Sequence, residues 1–598
     1  MRPITRHLAL SLALILPAGA VLAQRSRLPE RKKLIEYGWD VPNPAFVRAN
    51  IRQMEEKPFD GVIFRLGASH TGGSIFMGGK WNEADYEADF ADLRAIEWGK
   101  FTDNFLMMYA ASEMDWFSDS DWEGVLSNVR LMARAAKAGR CGLAFDAEPY
   151  GKNPWAYREQ KWAAEKSWDE YKAKAFERGQ QFIRAIESEL PRCTIVTLFT
   201  YSLFRGYMDQ KDPAKLQEAL QGEGYGLYLP FLNGILTAMG PGITLTDGNE
   251  PSYYYPDSES YYSVYHAMRQ GALKLIPRAM VDKFLTQTQA SQALYMDYVF
   301  AKVPWKGIPA LWMSPEEQAQ WFQHNVYYAL KTTDEYVWLY SEKMSWWEDR
   351  DIPPGMEEAV VKARELIARG QPLGYSMDEI MARVRAKQEQ EIAEKLIRRR
   401  ADIPRLTTAP PVLDGEISEP AWQGTARLEP FVPTFGHEPD SLKAATTGYA
   451  TWDDTYLYIA VDCAEPDMMA LKIVGSAQDD PVWEGDSVDI LLSTDASGTP
   501  YYHLILNPHV VPWDALFTSG NDMSWDPNWR TSASQTETGW AVEAAVPWVA
   551  LGIAPEAGLS LRANLCRNRQ PGGGELSSWS QVVRGFLEPE HSGEWVLR

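Results

Sequence analysis

The segment Gly142-Leu143-Ala144-Phe145-Asp146-Ala147-Glu148-Pro149-Tyr150 sets two carboxylates two positions apart at the end of an apolar run. With the period of two of a β-strand, Ala144, Asp146 and Glu148 share one face, and Leu143, Phe145 and Ala147 the other. If the apolar set packs on helices, both acids point the opposite way. Side chains so spaced stand about 6.5–7 Å apart at their Cα atoms, so each can influence the other's protonation. One acid can then be neutral while its partner is ionised, the condition for acid catalysis beside a charged group. Glu148 ranks first as proton donor, because Pro149 confines it to extended geometry and so helps fix its direction. A salt bridge to a neighbouring strand is the structural alternative for the pair.

Further carboxylates recur beside aromatic residues. In Tyr336-Val337-Trp338-Leu339-Tyr340-Ser341-Glu342, alternation puts Trp338, Tyr340 and Glu342 on one face. Tyr295 and Asp297 share a face of the preceding apolar run, and Asp247 and Glu250 lie in Thr246-Asp247-Gly248-Asn249-Glu250-Pro251. Asp40 and Arg65 end the first two runs, as substrate contacts or as a structural ion pair. Hydrolysis of a glycosidic bond commonly needs two carboxyl groups across that bond. The catalytic candidates are therefore Glu148, Asp146, Glu342, Asp247 and Glu250. Asp40, Arg65, Tyr295, Asp297, Trp338 and Tyr340 are the candidate sugar contacts.

Strands and helices alternating over residues 24–370 must position these groups. Eight apolar runs, Leu34–Asp40, Phe59–Leu66, Asn104–Tyr109, Gly142–Glu148, Thr194–Thr200, Gly242–Asp247, Ala293–Val299 and Glu335–Ser341, are each followed by a helical pattern. Eight such rounds predict a (β/α)8 TIM barrel, whose reactive groups stand at the C-terminal ends of the strands. An open doubly wound sheet is the alternative, but no GxGxxG follows the first run. Residues 371–403 read as a helical linker, opened by Ser376-Met377-Asp378-Glu379. Beyond it, period-two runs such as Tyr456–Val461, Ser487–Leu492, Tyr502–Leu506 and Ala541–Val546 predict an all-β sandwich over 404–598.

Five blocks in the second domain occur in a recognisable order. They are Leu413-Asp414-Gly415 with Glu419 and Ala421-Trp422; Trp452-Asp453-Asp454 with Leu457-Tyr458; Trp483-Glu484-Gly485-Asp486-Ser487-Val488-Asp489; Gly539-Trp540 with Glu543 and Pro547-Trp548; and Arg562-Ala563-Asn564 with Arg567. On them the domain resembles a family 9 carbohydrate-binding module. The resemblance implies a sandwich that grips one or two sugar units between tryptophan faces and often carries structural calcium. From the residues themselves, Trp422, Trp540 and Trp548 lie in apolar alternation and read as core. Trp483, Trp525, Trp529 and Trp579 lie in polar contexts and read as stacking surfaces. Asp453, Asp454, Asp486 and Asp489 could supply calcium oxygens or simply form turns. No cofactor is expected for catalysis.

The barrel looks like a glycoside hydrolase in organisation, without matching one family. Its Asp-x-Glu resembles enzymes that use the substrate's own acetamido group as nucleophile, but their fuller acidic motif is absent, so that mechanism stays open. Histidine bases are scarce: within the barrel only His70, His266 and His324 occur, and no GxSxG elbow is present. The expected function is hydrolysis of a polysaccharide held by the second domain. A noncatalytic polysaccharide-binding protein and a polysaccharide lyase, with a Tyr or His base near Arg65, are the competing readings.

Arg2 and Arg6, the apolar run Leu8–Leu16 and Val21-Leu22-Ala23 have the layout of a cleavable secretory signal over residues 1–23. The protein is accordingly expected outside the cytoplasm, secreted or periplasmic, and not inserted in a membrane. With 59 Lys and Arg against 81 Asp and Glu, the net charge of −22 opposes nonspecific association with nucleic acid. The 24 Trp and 28 Tyr suit a neutral sugar partner. An oxidising compartment would permit bridges between Cys141 and Cys193 and between Cys463 and Cys566.

Overall fold

The computed structural model describes residues 32–67, 73–77, 79–303, 307–518, 521–522 and 525–598. The expected signal over residues 1–23 and His70 lie outside them. Two compact units emerge: one holds residues up to Val303 and Met313–Ala382, the other Arg383–Arg598 with the short segment ending at Trp312.

The first unit is a parallel barrel. Its strands are β1 (Lys33–Gly38), β2 (Gly61–Phe64), β3 (Ser74–Phe76), β4 (Phe105–Ser112), β5 (Gly142–Asp146), β6 (Cys193–Thr197), β7 (Ile243–Asp247), β8 (Thr288–Ala290), β9 (Gln292–Tyr295) and β10 (Tyr336–Ser341). Neighbours run β8-β7-β6-β5-β4-β2-β1-β10-β9, with β3 an outlier on β4. β8 and β9 are one strand interrupted at Ser291. Its backbone N–H donates to the backbone carbonyl of Asp247 and its hydroxyl to that of Tyr336, at 2.8 and 2.6 Å, which closes the barrel. Eight strand positions result, matching the eight runs of the sequence.

Two ends differ from the alternation pattern. The strand carrying Asp146 stops there, because the Asp146 carboxylate captures the backbone N–H of Glu148 at 2.8 Å and turns the chain. Glu148 therefore leaves the sheet instead of sharing its face. The seventh strand ends at Tyr295, and Met296–Val299 is a helical turn, so Asp297 is not on a strand face with Tyr295. Period two locates a strand but not the residue at which a side chain ends it.

The helical layer follows from amphipathic segments with ordinary caps. Helix Trp168–Glu189 opens with a capping box between Ser167 and Glu170 and buries Phe182 against Phe145 of β5, ring centroids 5.4 Å apart. Phe145 thus faces the helices, and Asp146 turns inward. Among the described residues no helix is long and apolar enough to cross a membrane.

Helix Asp378–Lys395 begins in the first unit and ends in the second, where Arg400–Ile403 pairs in parallel with Gly593–Leu597. The sheet-rich fold therefore begins a few residues before 404. The larger sheet runs through Ser560–Arg569, Ser487–Ser493, Tyr501–Leu506 and Pro512–Phe517; the smaller through Ala426–Leu428, Thr446–Trp452, Tyr456–Ala464, Gly539–Pro547 and Arg530–Thr536. Trp452, Trp540, Trp548 and Trp595 fill the space between them.

The separated sequence blocks meet in three dimensions. Buried Glu543 accepts hydrogen bonds from the backbone of Asp414 and Gly415 and from the Trp422 indole, at 3.0, 2.6 and 2.8 Å. Gly415 has φ +90°, and a Cβ there would lie 2.4 Å from the Ala533 backbone, so the turn needs glycine. All four cysteines are free. Cys463 packs between the sheets, whereas Cys566 lies with Leu491 and Tyr501 in a separate cluster, so the two thiols do not share a space.

Candidate functional site

Asp146, Glu148 and Glu250 come together at the C-terminal mouth of the barrel, coupled through their charges. Asp146 is 1% exposed; its Oδ1 accepts from Glu148 N, while Oδ2 is buried with no hydrogen-bond partner. Burial, and then the charges of Glu148 and Glu250, push its pKa far above the usual carboxylate range. Glu250 opens a short 3-10 turn after β7, its backbone N–H held by the carbonyl of Leu198 at 3.0 Å. Burial and then the nearby Glu148 raise its pKa to about 8. Glu148 is half-buried and accepts the hydroxyl of Tyr150. Among the described residues, no Lys or Arg forms an ion pair with these three acids. Glu250 thus keeps its proton at neutral pH, and Asp146 is shifted in the same direction.

Aromatic rings form the floor and wall. Tyr253 stacks on Tyr340 (5.5 Å, 12°) and meets Trp338 edge-on at 5.3 Å; Tyr37 lies 5.5 Å from Tyr340, and Tyr295 5.2 Å from Tyr253. Trp338 is fully buried and its indole donates to Gly248 O at 2.9 Å. Tyr37 is hydrogen-bonded to Tyr109, which stands in register with Asp146 on the neighbouring strand, and both have raised pKa values caused first by burial. Tyr340 reaches Glu342 at 3.4 Å, and Tyr295 also hydrogen-bonds Glu342.

Three other acids of the mouth are committed to the scaffold. Asp247 accepts from Thr200 N, Ser202 N, Ser202 Oγ and Asn249 N at 3.1, 2.8, 2.5 and 3.2 Å, fixing two loops at once. Asp297 accepts from Glu342 N and Lys343 N at 2.6 and 3.2 Å. Asp40 accepts from Trp346 N at 3.1 Å. Asp247 and Asp297, with both oxygens so occupied, position loops and have little capacity left for substrate, whereas Asp40 Oδ1 is buried without such a donor. Arg65 is exposed and acts electrostatically on Tyr109; it makes no ion pair with Asp40.

Sequence alternation missed Tyr37, Tyr253, Tyr150 and Tyr225, the last facing the charges of Glu148, Asp146 and Glu250. Tyr37 was findable, because the residue opposite it on the neighbouring strand is Tyr340. The other three stand on loops, where no period applies.

On the sandwich, Trp483 is 44% exposed, with Trp513 edge-on to it at 5.4 Å. The Asn568 amide donates to the carbonyls of Trp483 and Gly485 and lines a cleft of about 550 Å³ with His437, Lys443, Arg569, Gln570 and Glu575. Trp525 and Trp529 are half-buried, Trp525 against Tyr502 at 5.0 Å. Trp579 is not a surface: it is 3% exposed, with Gly593 against its ring and Trp595 at 6.3 Å. Its polar sequence neighbours Ser578 and Ser580 are themselves buried, Ser580 bonded to Asn564 and to the His591 carbonyl, which sequence context could not reveal.

The four aspartates named for calcium do not converge. Asp453 caps a turn through Thr455 N and Tyr456 N, Asp454 pairs with Arg405, Asp486 holds Lys472 N and Gln570 N, and Asp489 pairs with His503. Among the described residues no group of three or more His, Cys, Asp or Glu could hold a metal ion.

Residues 413–597 match the model of the "Carbohydrate family 9 binding domain-like" family. Exoglucanase XynX of Acetivibrio thermocellus is 24% identical over 143 residues, 24% of this chain and 12% of that protein, so the chain spans a small part of its length. A family 9 carbohydrate-binding module of Caldicellulosiruptor kristjanssonii in complex with cellotriose is 19% identical, with TM-score 0.24, covering 33% of this chain and 94% of that one. A GH18 chitinase from Pseudoalteromonas aurantia is 11% identical, with TM-score 0.29, covering 55% of this chain and 99% of that one. Within the chain, residues 413–597 are thus similar to carbohydrate-binding family 9 domains.

Proposed function

We propose that the protein is an exported enzyme that hydrolyses glycosidic bonds in a polysaccharide at the barrel mouth, while the sandwich holds the polymer. The observation that carries this reading is the grouping of Glu148 and Glu250, uncompensated by cations, beside the Tyr253–Tyr340–Trp338 aromatic wall. Glu250, whose proton persists to about pH 8, serves as donor to the leaving oxygen. Glu148, held by Tyr150, is the partner carboxyl, and Asp146 orients it through its backbone N–H. Sequence alone favours the reverse order, with Glu148 as donor; burial of Glu250 is the reason for exchanging the roles. On the sandwich, the exposed Trp483 ring takes the saccharide together with the cleft lined by Asn568, whose amide holds the Trp483 carbonyl.

The lyase reading needs a base near Arg65. Tyr109 stands there, but burial first, and Asp146 also, raise its pKa, opposite to what a base requires. Purified protein offered a panel of polysaccharides should release reducing ends without an unsaturated ultraviolet chromophore. Release of both would indicate a lyase, and release of neither a noncatalytic binding protein.

A further inference from the structure

Large aromatic rings are almost all interior in this chain. Among the described residues the exposed ones are Trp39, Tyr150, Tyr254, Tyr262 and Trp483, at 65, 57, 46, 39 and 44%. Three of the four that belong to the barrel unit, Trp39, Tyr150 and Tyr254, stand just beyond the C-terminal ends of β1, β5 and β7. Single exposed rings scattered over a surface need no explanation; three on the rim of one mouth do.

Each ring is held by a second contact. Trp39 hydrogen-bonds Tyr340, and Lys343 Nζ lies 5.0 Å from its ring centroid. Tyr254 is edge-on to Tyr298 at 5.2 Å and to Tyr253 at 6.0 Å. The Tyr150 hydroxyl is fixed on Glu148. Rings already immobilised lose little rotamer freedom when a flat ligand stacks on them. Both Tyr254 and Tyr340, the holder of Trp39, feel the charges of Glu250, Glu342 and Glu148, so the rings open onto the acids.

We infer that Trp39 and Tyr254 are stacking platforms for sugar units beside the one at the acids, so that the barrel takes an extended chain of uncharged pyranoses. The inference rests on the reading of the barrel as a glycoside hydrolase. A uronate unit would add a carboxylate to Asp146, Glu148, Glu250 and Glu342, where the nearest ion-paired cation is Lys343, 3.9 Å from Glu342. Neutral pyranose rings present apolar faces to the aromatic platforms and add no charge.

The test compares wild-type protein with Trp39→Ala, Tyr254→Ala and the double variant. The substrates are a length series of the uncharged glycan that the wild type cleaves, together with the shortest oligosaccharide or aryl glycoside of that sugar it accepts. On the long members kcat/KM should fall about tenfold per ring, while the shortest substrate changes by less than about twofold. Trp39→Phe, which keeps a ring, should restore most of the loss, and melting temperatures should be unchanged. Equal losses on short and long substrates would overturn the inference, as would none on the long ones or faster cleavage of a glycuronan. A wild-type protein that cleaves no glycan defeats the hydrolase reading itself, and this inference with it.

Discussion

The Trp338 indole donates to the backbone carbonyl of Gly248 at 2.9 Å, tying the last barrel strand to the loop that carries Glu250. The ring is wholly buried, so the bond has no water to replace it. Trp338→Phe should lower turnover about tenfold or more by loosening Glu250, and stability by about 1–3 kcal/mol. Turnover and urea midpoint measured on the same preparation check both. A variant with normal turnover would show that the bond does not position Glu250.

Gly248→Ala tests the same junction from the backbone side. A Cβ there would lie 2.0 Å from Thr197 O and 2.9 Å from Trp338 Nε1. Neither the carbonyl nor the buried indole can retreat, so a loss of about 1–3 kcal/mol or more is expected on denaturant unfolding.

Glu250 gives a pH dependence with a definite sign. Its carboxyl, ordinarily near 4.5, is raised to about 8 in the folded protein. The stabilisation it contributes is complete below pH 4.5 and is lost as pH rises through 8. Glu250→Gln should therefore flatten the decline in melting temperature between pH 5 and 8.5. If Glu250 is the proton donor, hydrolysis should also fall as pH rises through about 8, and the variant should lose about 10²–10⁴-fold in turnover on natural polymer. Aryl glycosides with good leaving groups should suffer much less.

Glu148→Gln keeps the size and the contact with Tyr150 while removing the charge. A turnover loss of about 10²–10⁴-fold with an unchanged melt is expected. If this variant, and not Glu250→Gln, is rescued on activated aryl glycosides, the two roles are reversed.

In the sandwich, Trp579→Ala and Trp483→Ala should separate cleanly. Removing the buried Trp579 ring should cost about 3–5 kcal/mol. Removing Trp483 should weaken saccharide binding in calorimetry and leave the melt almost unchanged. A fragment beginning at residue 404 should be less stable than one beginning before Arg400, by about 2–4 kcal/mol. It lacks the strand paired with Gly593–Leu597 and the Ile403 carbonyl that the Trp452 indole bonds at 3.0 Å.

Local repetition carried the barrel and the sandwich in the sequence, since the alternation of strand and helix periods follows from which residues each element must bury. It was enough to count eight strand positions, to separate the all-β part near residue 400, and to set Asp146, Glu148 and Glu250 among the acids of one rim. The blocks around Asp414, Trp422 and Glu543 were readable as a group before their shared hydrogen bonds were known. What periodicity could not rank was the acids themselves. Asp146, Asp247 and Asp297 are all carboxylates near strand ends, yet Asp247 spends its oxygens on four protein donors while Asp146 keeps one bare in a buried site. That distinction depends on which distant backbone N–H groups arrive, and on how much water each carboxylate loses, quantities set only when the loops after β6, β7 and β10 close over the mouth. The same holds for the tryptophans: Trp483 and Trp579 share polar surroundings in sequence, and only the packing of Trp595 and Gly593 against the second makes it core.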